Sequence, residues 1–301
     1  LLFHYSIVVL QDRGIYQSIA ALKSRNIRKM QNLTYLLPVI MIFGLLACGN
    51  DAAPSEARET AESTAMVNTP GKPDAQRELY NELLAAKRDT LPARQIQEAG
   101  KLYPVDEALT DTGFFIFREQ FLHAIRKKEL FALMDVIHPD IKVDFGGAGG
   151  VADFVKTWEL DSPEKAANSP VWDILEKVLE NGGSFRDGQF VAPYVFSTWP
   201  DDYDAFTYWA ITGSGVRLRS APSLQSSTIT MVSYDIVKML EITQKKETIG
   251  GETHPWIKVE TADGKQGYVY GKYAATSISY RTSFERRPSG KWLMNFLVAG
   301  D

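Results

Sequence analysis

Val216-Arg217-Leu218-Arg219-Ser220-Ala221-Pro222-Ser223 opens the stretch that decides the fold, and Trp256-Ile257-Lys258-Val259-Glu260, Asp263-Gly264 and Gln266-Gly267-Tyr268-Val269-Tyr270-Gly271-Lys272-Tyr273 close it. Val216, Leu218 and Ser220 alternate with Arg217 and Arg219, the period-2 pattern of a half-buried strand. Pro222 ends that strand, because proline has no N–H for a ladder. Ile257 and Val259 alternate with Lys258 and Glu260, and Asp263-Gly264 sits where a hairpin turn needs positive φ. Two apolar runs, 228–232 and 236–242, lie between. Short strands at this spacing predict a small β-barrel or sandwich over 208–275.

The same residues resemble the bacterial SH3-like (SH3b) pattern. In that pattern a V-x-L-R-S-x-P-S strand end is followed by W-x-K-V, a D-G turn and G-Y-V-x-x-x-Y. The segment 243–254 is longer and more polar than a compact member of that family needs. The resemblance implies a non-catalytic targeting module, often for cell-wall peptides. For a ligand groove, if the module has one, Trp256, Tyr268, Tyr270 and Tyr273 are the candidate ligand-binding residues. In strands this short, at least half of those rings are expected to face the core.

The chain has 301 residues, enough for about two domains of ordinary size. Its formal charge is −4, but the first 47 residues hold five basic side chains and only one acidic. The remainder therefore carries 28 basic against 36 acidic residues, about −8. An acidic body without a basic stripe argues against nucleic acid, whose affinity rests on phosphate neutralisation.

The chain starts at Leu1, and Met30 is an alternative start for the leader. Lys23, Arg25, Arg28 and Lys29 precede an apolar run, 33–47, of signal-peptide length and short for a membrane span. The run closes on Leu45-Leu46-Ala47-Cys48, and Cys48 is the only cysteine. This resembles a bacterial lipoprotein signal. The resemblance implies that residues 1–47 are removed and that Cys48 carries diacylglycerol and an N-acyl chain. Several acyl chains anchor a protein to a membrane essentially permanently. The expected location is the cell envelope; in a Gram-negative cell it is the outer membrane facing the periplasm, since no aspartate follows the cysteine. Residues 49–76 are Ala-, Ser-, Thr-, Glu- and Pro-rich and read as a flexible tether behind the lipidated cysteine.

Residues 77–207 read as a mainly helical or α+β domain, which makes the whole chain α+β. Leu79, Leu83 and Leu84 predict a helix over 77–98, interrupted at Pro92. Phe114, Phe117, Phe121 and Ile125 share one face of a second helix, with Asp111 or Thr112 as its cap. Leu130, Met134 and Ile137 extend the pattern as a third helix ended by Pro139. A strand-like run, 141–145, leads into five small residues, 146–150, within which Gly147, Gly149 and Ala152 fit the G-x-G-x-x-A form of a dinucleotide fingerprint. No second strand follows the next helix, so a tight strand-to-helix turn is expected there instead. A further helix spans 171–180 and is capped at Gly182-Gly183. The aromatic stretch 190–208 is expected to pack the helical part onto the barrel; an aromatic groove for a sugar or peptide is the other reading.

Residues 276–301 read as a C-terminal β-hairpin, with Ile278, Tyr280, Thr282 and Phe284 alternating and then Trp292, Met294, Phe296 and Val298. Gly290-Lys291-Trp292-Leu293-Met294-Asn295-Phe296 resembles the last strand of the NTF2-like superfamily, which begins with helices like 113–137. That resemblance implies a barrel inserted before the final strands of the first domain. A hairpin that merely extends the barrel is the alternative.

Few residues offer chemistry. His123, His138 and His254 show no metal-ligand spacing, G-x-S-x-G does not occur, and the lipoprotein resemblance implies that the Cys48 thiol is acylated and so no nucleophile. No catalytic residue, metal or cofactor is expected. Two functional classes remain: a lipid-anchored, non-catalytic envelope protein that binds peptidoglycan or a partner's peptide, and a glycan-active wall enzyme. In the enzyme, Glu159, Glu176 or Glu180 would be the acid or base and would need an opposed carboxylate across a cleft.

Overall fold

A computed structural model describes residues 73–87, 98–147 and 149–300. The leader, Cys48 and most of the tether lie outside the described residues, and so does the 88–97 part of the first expected helix.

The helices follow from their caps and stripes. Helix α1, Pro73–Lys87, starts earlier than the leucine spacing predicts, with Asp74 in its first turn. Helix α2, Thr112–Arg126, is capped as expected: the Asp111 carboxylate accepts from Phe114 N at 2.8 Å. Its Phe114, Phe117, Phe121 and Ile125 are all buried. The third stripe makes only one and a half turns, α3 at Leu130–Asp135. Ile137 does not continue it. Instead, Met294 N donates to Val136 O at 2.6 Å, and Ile137 begins strand β1, Ile137–Lys142, paired with Met294. A long-range ladder here outweighs local helical spacing. Pro139 lies inside β1, which is an edge strand and so loses little by lacking an N–H.

Helix α4, Gly150–Thr157, follows the glycine run. A Cβ on Gly149 would approach Ile141 O at 2.9 Å, and Gly149 N is bonded by the Asp153 carboxylate at 2.9 Å. The glycines therefore serve a close return onto β1, and a carboxylate already occupies the helix start. Helices α5, Pro163–Asn168, and α6, Val171–Glu180, complete the layer, and the chain turns after α6 at Gly182, φ +63°.

Strands β2, Ser184–Arg186, and β3, Gln189–Ala192, and the short helix α7, Tyr194–Ser197, come next. The chain then forms β4, Tyr208–Ile211; β5, Val216–Arg219; β6, Thr228–Val232; β7, Ile236–Ile249; β8, Glu252–Glu260; β9, Gln266–Tyr270; and β10, Ala274–Ala275. These seven make one curled antiparallel sheet, a half-barrel in the order β10-β4-β7-β8-β9-β5-β6. The last strands, β11, Arg281–Arg286, and β12, Trp292–Val298, form the hairpin. They join the first region's sheet, in the order β1-β12-β11-β3-β2, with β1 parallel to β12 and the other pairs antiparallel. Of the two placements left open for the hairpin, the pairing gives the first: the half-barrel is inserted between β3 and β11 of the other sheet. The protein is α+β.

The two regions have separate cores. Helix α2 lies on the five-stranded sheet, with Phe114 against Phe190 at 4.2 Å between ring centroids and against Trp292 at 4.8 Å. The half-barrel encloses Ile211, Val216, Leu218, Val232, Val237, Ile257, Val259 and Val269. A third cluster joins them. Leu102, Tyr194, Val195, Ala210 and Ile236 are buried together, with Trp199, Tyr203 and Tyr208 against them. The aromatic stretch thus packs the two regions together, although Phe206 remains exposed. Burial also pushes the Tyr194 phenol well above its ordinary pKa. The joint is reinforced by Lys101, whose Nζ donates to Ser233 O at 2.9 Å and pairs with Asp235 at 2.8 Å.

Candidate functional site: an aromatic row on the half-barrel

Alternation sorts the four named aromatics. Ile257 and Val259 on β8 and Val269 on β9 point into the half-barrel core. Trp256, Lys258, Tyr268 and Tyr270 are therefore on the opposite, outer face. The register sets Trp256 across from Tyr270 and Lys258 across from Tyr268. The Trp256 and Tyr270 rings meet edge-on at 5.7 Å, and Tyr270 meets Tyr273 at 6.4 Å. His254 adds a fourth ring, 5.4 Å from Tyr270. The structure thus brings Trp256, Tyr270 and Tyr273 into one row, with half-buried Tyr268 one cross-strand pair away.

The row is not open along its length. Tyr273 is 40% exposed, whereas Trp256 is 1% and Tyr270 is 5% exposed. Their cover is the 243–254 segment that exceeds the compact pattern. It forms an arm, the outer ends of β7 and β8, turned by Gly250 and Gly251 at φ +63° and +88°. Positive φ at both central residues is what a two-residue type I′ hairpin loop requires. The ladder shifts between Ile242 and Lys246, where three residues of β7 oppose one of β8, and the arm bends at this bulge.

Polar groups hold the arm down. The Glu247 carboxylate accepts from Trp256 Nε1 at 3.0 Å and from Leu224 N at 3.3 Å. The Tyr270 hydroxyl lies within hydrogen-bond distance of Glu247 O, at 3.0 Å, and of Glu252 O, at 2.5 Å. Glu252 pairs with Lys272, and with His254 at 3.2 Å. Lys272 first and His254 second hold the Glu252 carboxyl below the usual carboxylate range. The expectation that at least half of these rings face the core is not met, because alternation gives the inner face to Ile257, Val259 and Val269; Trp256 and Tyr270 are buried instead on the outer face, under the chain's own arm. Reading the candidates by residue type missed this cover, although Gly250-Gly251 between β-forming residues is a hairpin signal.

Residues 214–275 match the family model described as bacterial SH3 domain. The chain contains a bacterial SH3 domain. The match takes in β5 to β10, including the arm and all four named aromatics. No curated protein and no solved structure matches the chain. SH3 domains of this bacterial family are commonly cell-wall or peptidoglycan-binding modules.

The glutamates considered for acid–base work lie elsewhere. Glu176 and Glu180 both pair with Arg126, Glu176 at 2.7 Å, and hold its guanidinium above the ordinary value. They neighbour each other along α6 and share one cation instead of opposing each other. Glu159 is exposed at the end of α4, at φ +52°. His123 is exposed, as its position off the apolar stripe implies. His138 lies within β1, not at a helix end, and accepts from Asp140 N at 3.0 Å. Among the described residues no group of three or more His, Cys, Asp or Glu could hold a metal, and no helix is long and apolar enough to cross a membrane.

A charge cluster that periodicity did not suggest sits in the first region. Arg118 is 3% exposed and pairs with Asp106 at 2.6 Å and with Glu119 at 3.0 Å, while Lys87 pairs with Glu119 at 3.2 Å. It ties α1 and α2 to the segment before α2. Its charges are matched, as burial demands.

Proposed function

We propose that this chain is a lipid-anchored, non-catalytic protein of the bacterial envelope whose SH3 domain binds peptidoglycan or a partner's peptide. The carrying observation is the SH3 domain itself, with an aromatic row whose exposed end is Tyr273. An aromatic row with one open ring suits an extended peptide, since flat rings offer large contact area at low entropic cost. The anchor rests on the sequence: a basic flank, an apolar run and Leu45-Leu46-Ala47-Cys48. Acyl chains on Cys48 would hold the protein at a membrane, and the segment 49–72 would give the folded part reach.

Two experiments test this. The chain from Gly49 onward keeps every described element and is co-sedimented with purified sacculi at low and high salt, with muropeptide release followed in the same tubes. Salt-resistant pelleting without release is expected. Release would replace the binding reading with an enzymatic one, and absence of pelleting would remove the wall as ligand. In cells, labelled palmitate is expected in the full chain and absent from Cys48→Ala; label retained in that variant would end the lipoprotein reading.

A further inference from the structure

From the contacts of the arm we infer that it is an internal competitor for the aromatic face, and that the ligand it competes with is a wall peptide bearing a free carboxylate. The inference rests on the wall-binding reading above and names the chemistry of that site. Two donors converge on one carboxylate: the indole N–H of Trp256 at 3.0 Å and the backbone N–H of Leu224 at 3.3 Å. Trp256 is 1% exposed, so with the arm in place its N–H has Glu247 and not water. A buried donor needs an acceptor. An indole N–H and a loop N–H aimed at one point form a receptor for a carboxylate, and here the guest belongs to the chain itself.

The backbone contacts fit the same picture. The Tyr270 hydroxyl meets two main-chain carbonyls of the arm, Glu247 O and Glu252 O. An extended peptide lying along the row presents carbonyls in the same way, and Tyr273 continues the row beyond the arm with an exposed ring. The stem peptides of peptidoglycan supply both features, an extended backbone and free carboxylates. Nor is the arm part of the barrel's interior. Every core residue of the half-barrel lies on the inner face, and the arm is set off from the barrel strands by the ladder shift between Ile242 and Lys246. Lifting it would expose the face without opening the core. A closed arm lowers apparent affinity by the fraction of molecules in which the face is free.

The test compares three proteins: the chain from Gly49 onward, its Glu247→Gln variant, and a variant in which residues 246–253 are replaced by Asn-Gly. Each is titrated onto native sacculi and onto sacculi whose free carboxylates have been converted to methylamides. The shortened variant is expected to bind native sacculi about tenfold tighter than the parent, and Glu247→Gln several-fold tighter. Both gains should vanish on the methylamidated wall. A parent that fails to pellet while the variants pellet also supports the inference. Variants that bind native sacculi no tighter than a binding parent overturn the competitor and leave the wall-binding reading standing. Equal binding to native and methylamidated sacculi overturns carboxylate recognition. If none of the three pellets, both readings fall. Thermal unfolding checks that the shortened variant folds; if it does not, Glu247→Gln, which keeps the arm's backbone contacts, decides alone.

Discussion

The two regions use their aromatic residues in opposite ways. The five-stranded region puts most of them inside: Phe114, Phe117, Phe121, Phe154, Phe190, Phe284 and Trp292 belong to one buried cluster, while Phe131 and Phe145 are exposed. The half-barrel's buried interior is aliphatic, with half-buried Trp209 of β4 packed against it, and the SH3 domain sets Trp256, Tyr270 and Tyr273 in a row on the outer face, beside Tyr268. A ring of the cluster holds helix to sheet. A ring of the row is covered by a hairpin arm or left open. The same residue types are therefore structural in one half and candidate recognition elements in the other.

Substitutions can break or sharpen that contrast. The largest effect is expected at Phe114, which is 0% exposed and contacts five other rings. Phe114→Ala should cost about 3–5 kcal/mol, read by denaturant unfolding, as truncation of a fully buried aromatic does. A loss under about 1 kcal/mol would mean that the core collapses onto the gap, and the contrast would weaken. Trp256→Phe comes next. It keeps a ring on the outer face but removes the N–H that Glu247 accepts, and about 1.5–3 kcal/mol is the usual range for a hydrogen bond to a charged group. Faster amide exchange confined to the arm should accompany it; loss of exchange protection in the half-barrel core would show that the arm is structural after all.

Tyr273→Ala should change stability by no more than about 0.5 kcal/mol, since the ring is 40% exposed, yet it should reduce pelleting with sacculi. Unchanged pelleting would move the ligand away from the aromatic row. The smallest effect concerns pH. Lys272 and His254 depress the folded-state pKa of Glu252, so its contribution is present above the unfolded carboxylate range and is lost as pH falls through the folded value. The group is solvent-exposed, so screening keeps the effect small. Melting curves of the parent should lose slightly more stability on acidification than those of Glu252→Gln; parallel curves would show that the Glu252–Lys272 pair contributes nothing.

Much of this was legible in the sequence, and for identifiable reasons. The SH3 strands announced themselves through alternation at 216–220 and 257–260 and through Asp263-Gly264, whose glycine takes φ +79°. Helix α6 and the Asp111 cap were readable because both depend on residues within a turn of one another. What could not be read is what distant segments do together. The parallel pairing of β1 with β12 turns Ile137 from the end of a helical stripe into the start of a strand. Strands β2 and β3 span three and four residues, too few for a periodic signal. Arg118 and Glu119 do not stand out in the sequence, because nothing local says that Asp106 will meet the guanidinium. Trp256 and Tyr270 were identified as candidates, but their cover depends on an arm whose bend arises from a two-strand register shift.

The insertion of the SH3 domain has a consequence for proteolytic shedding. The domain is joined to the rest of the fold twice, through the segment before β4 and the segment between β10 and β11, and the two connections leave side by side where Ala210 pairs with Ala275. A protease that cuts one of them leaves the domain covalently attached through the other. Release of the intact domain takes two cuts, whereas a domain strung at the end of a chain is lost with one.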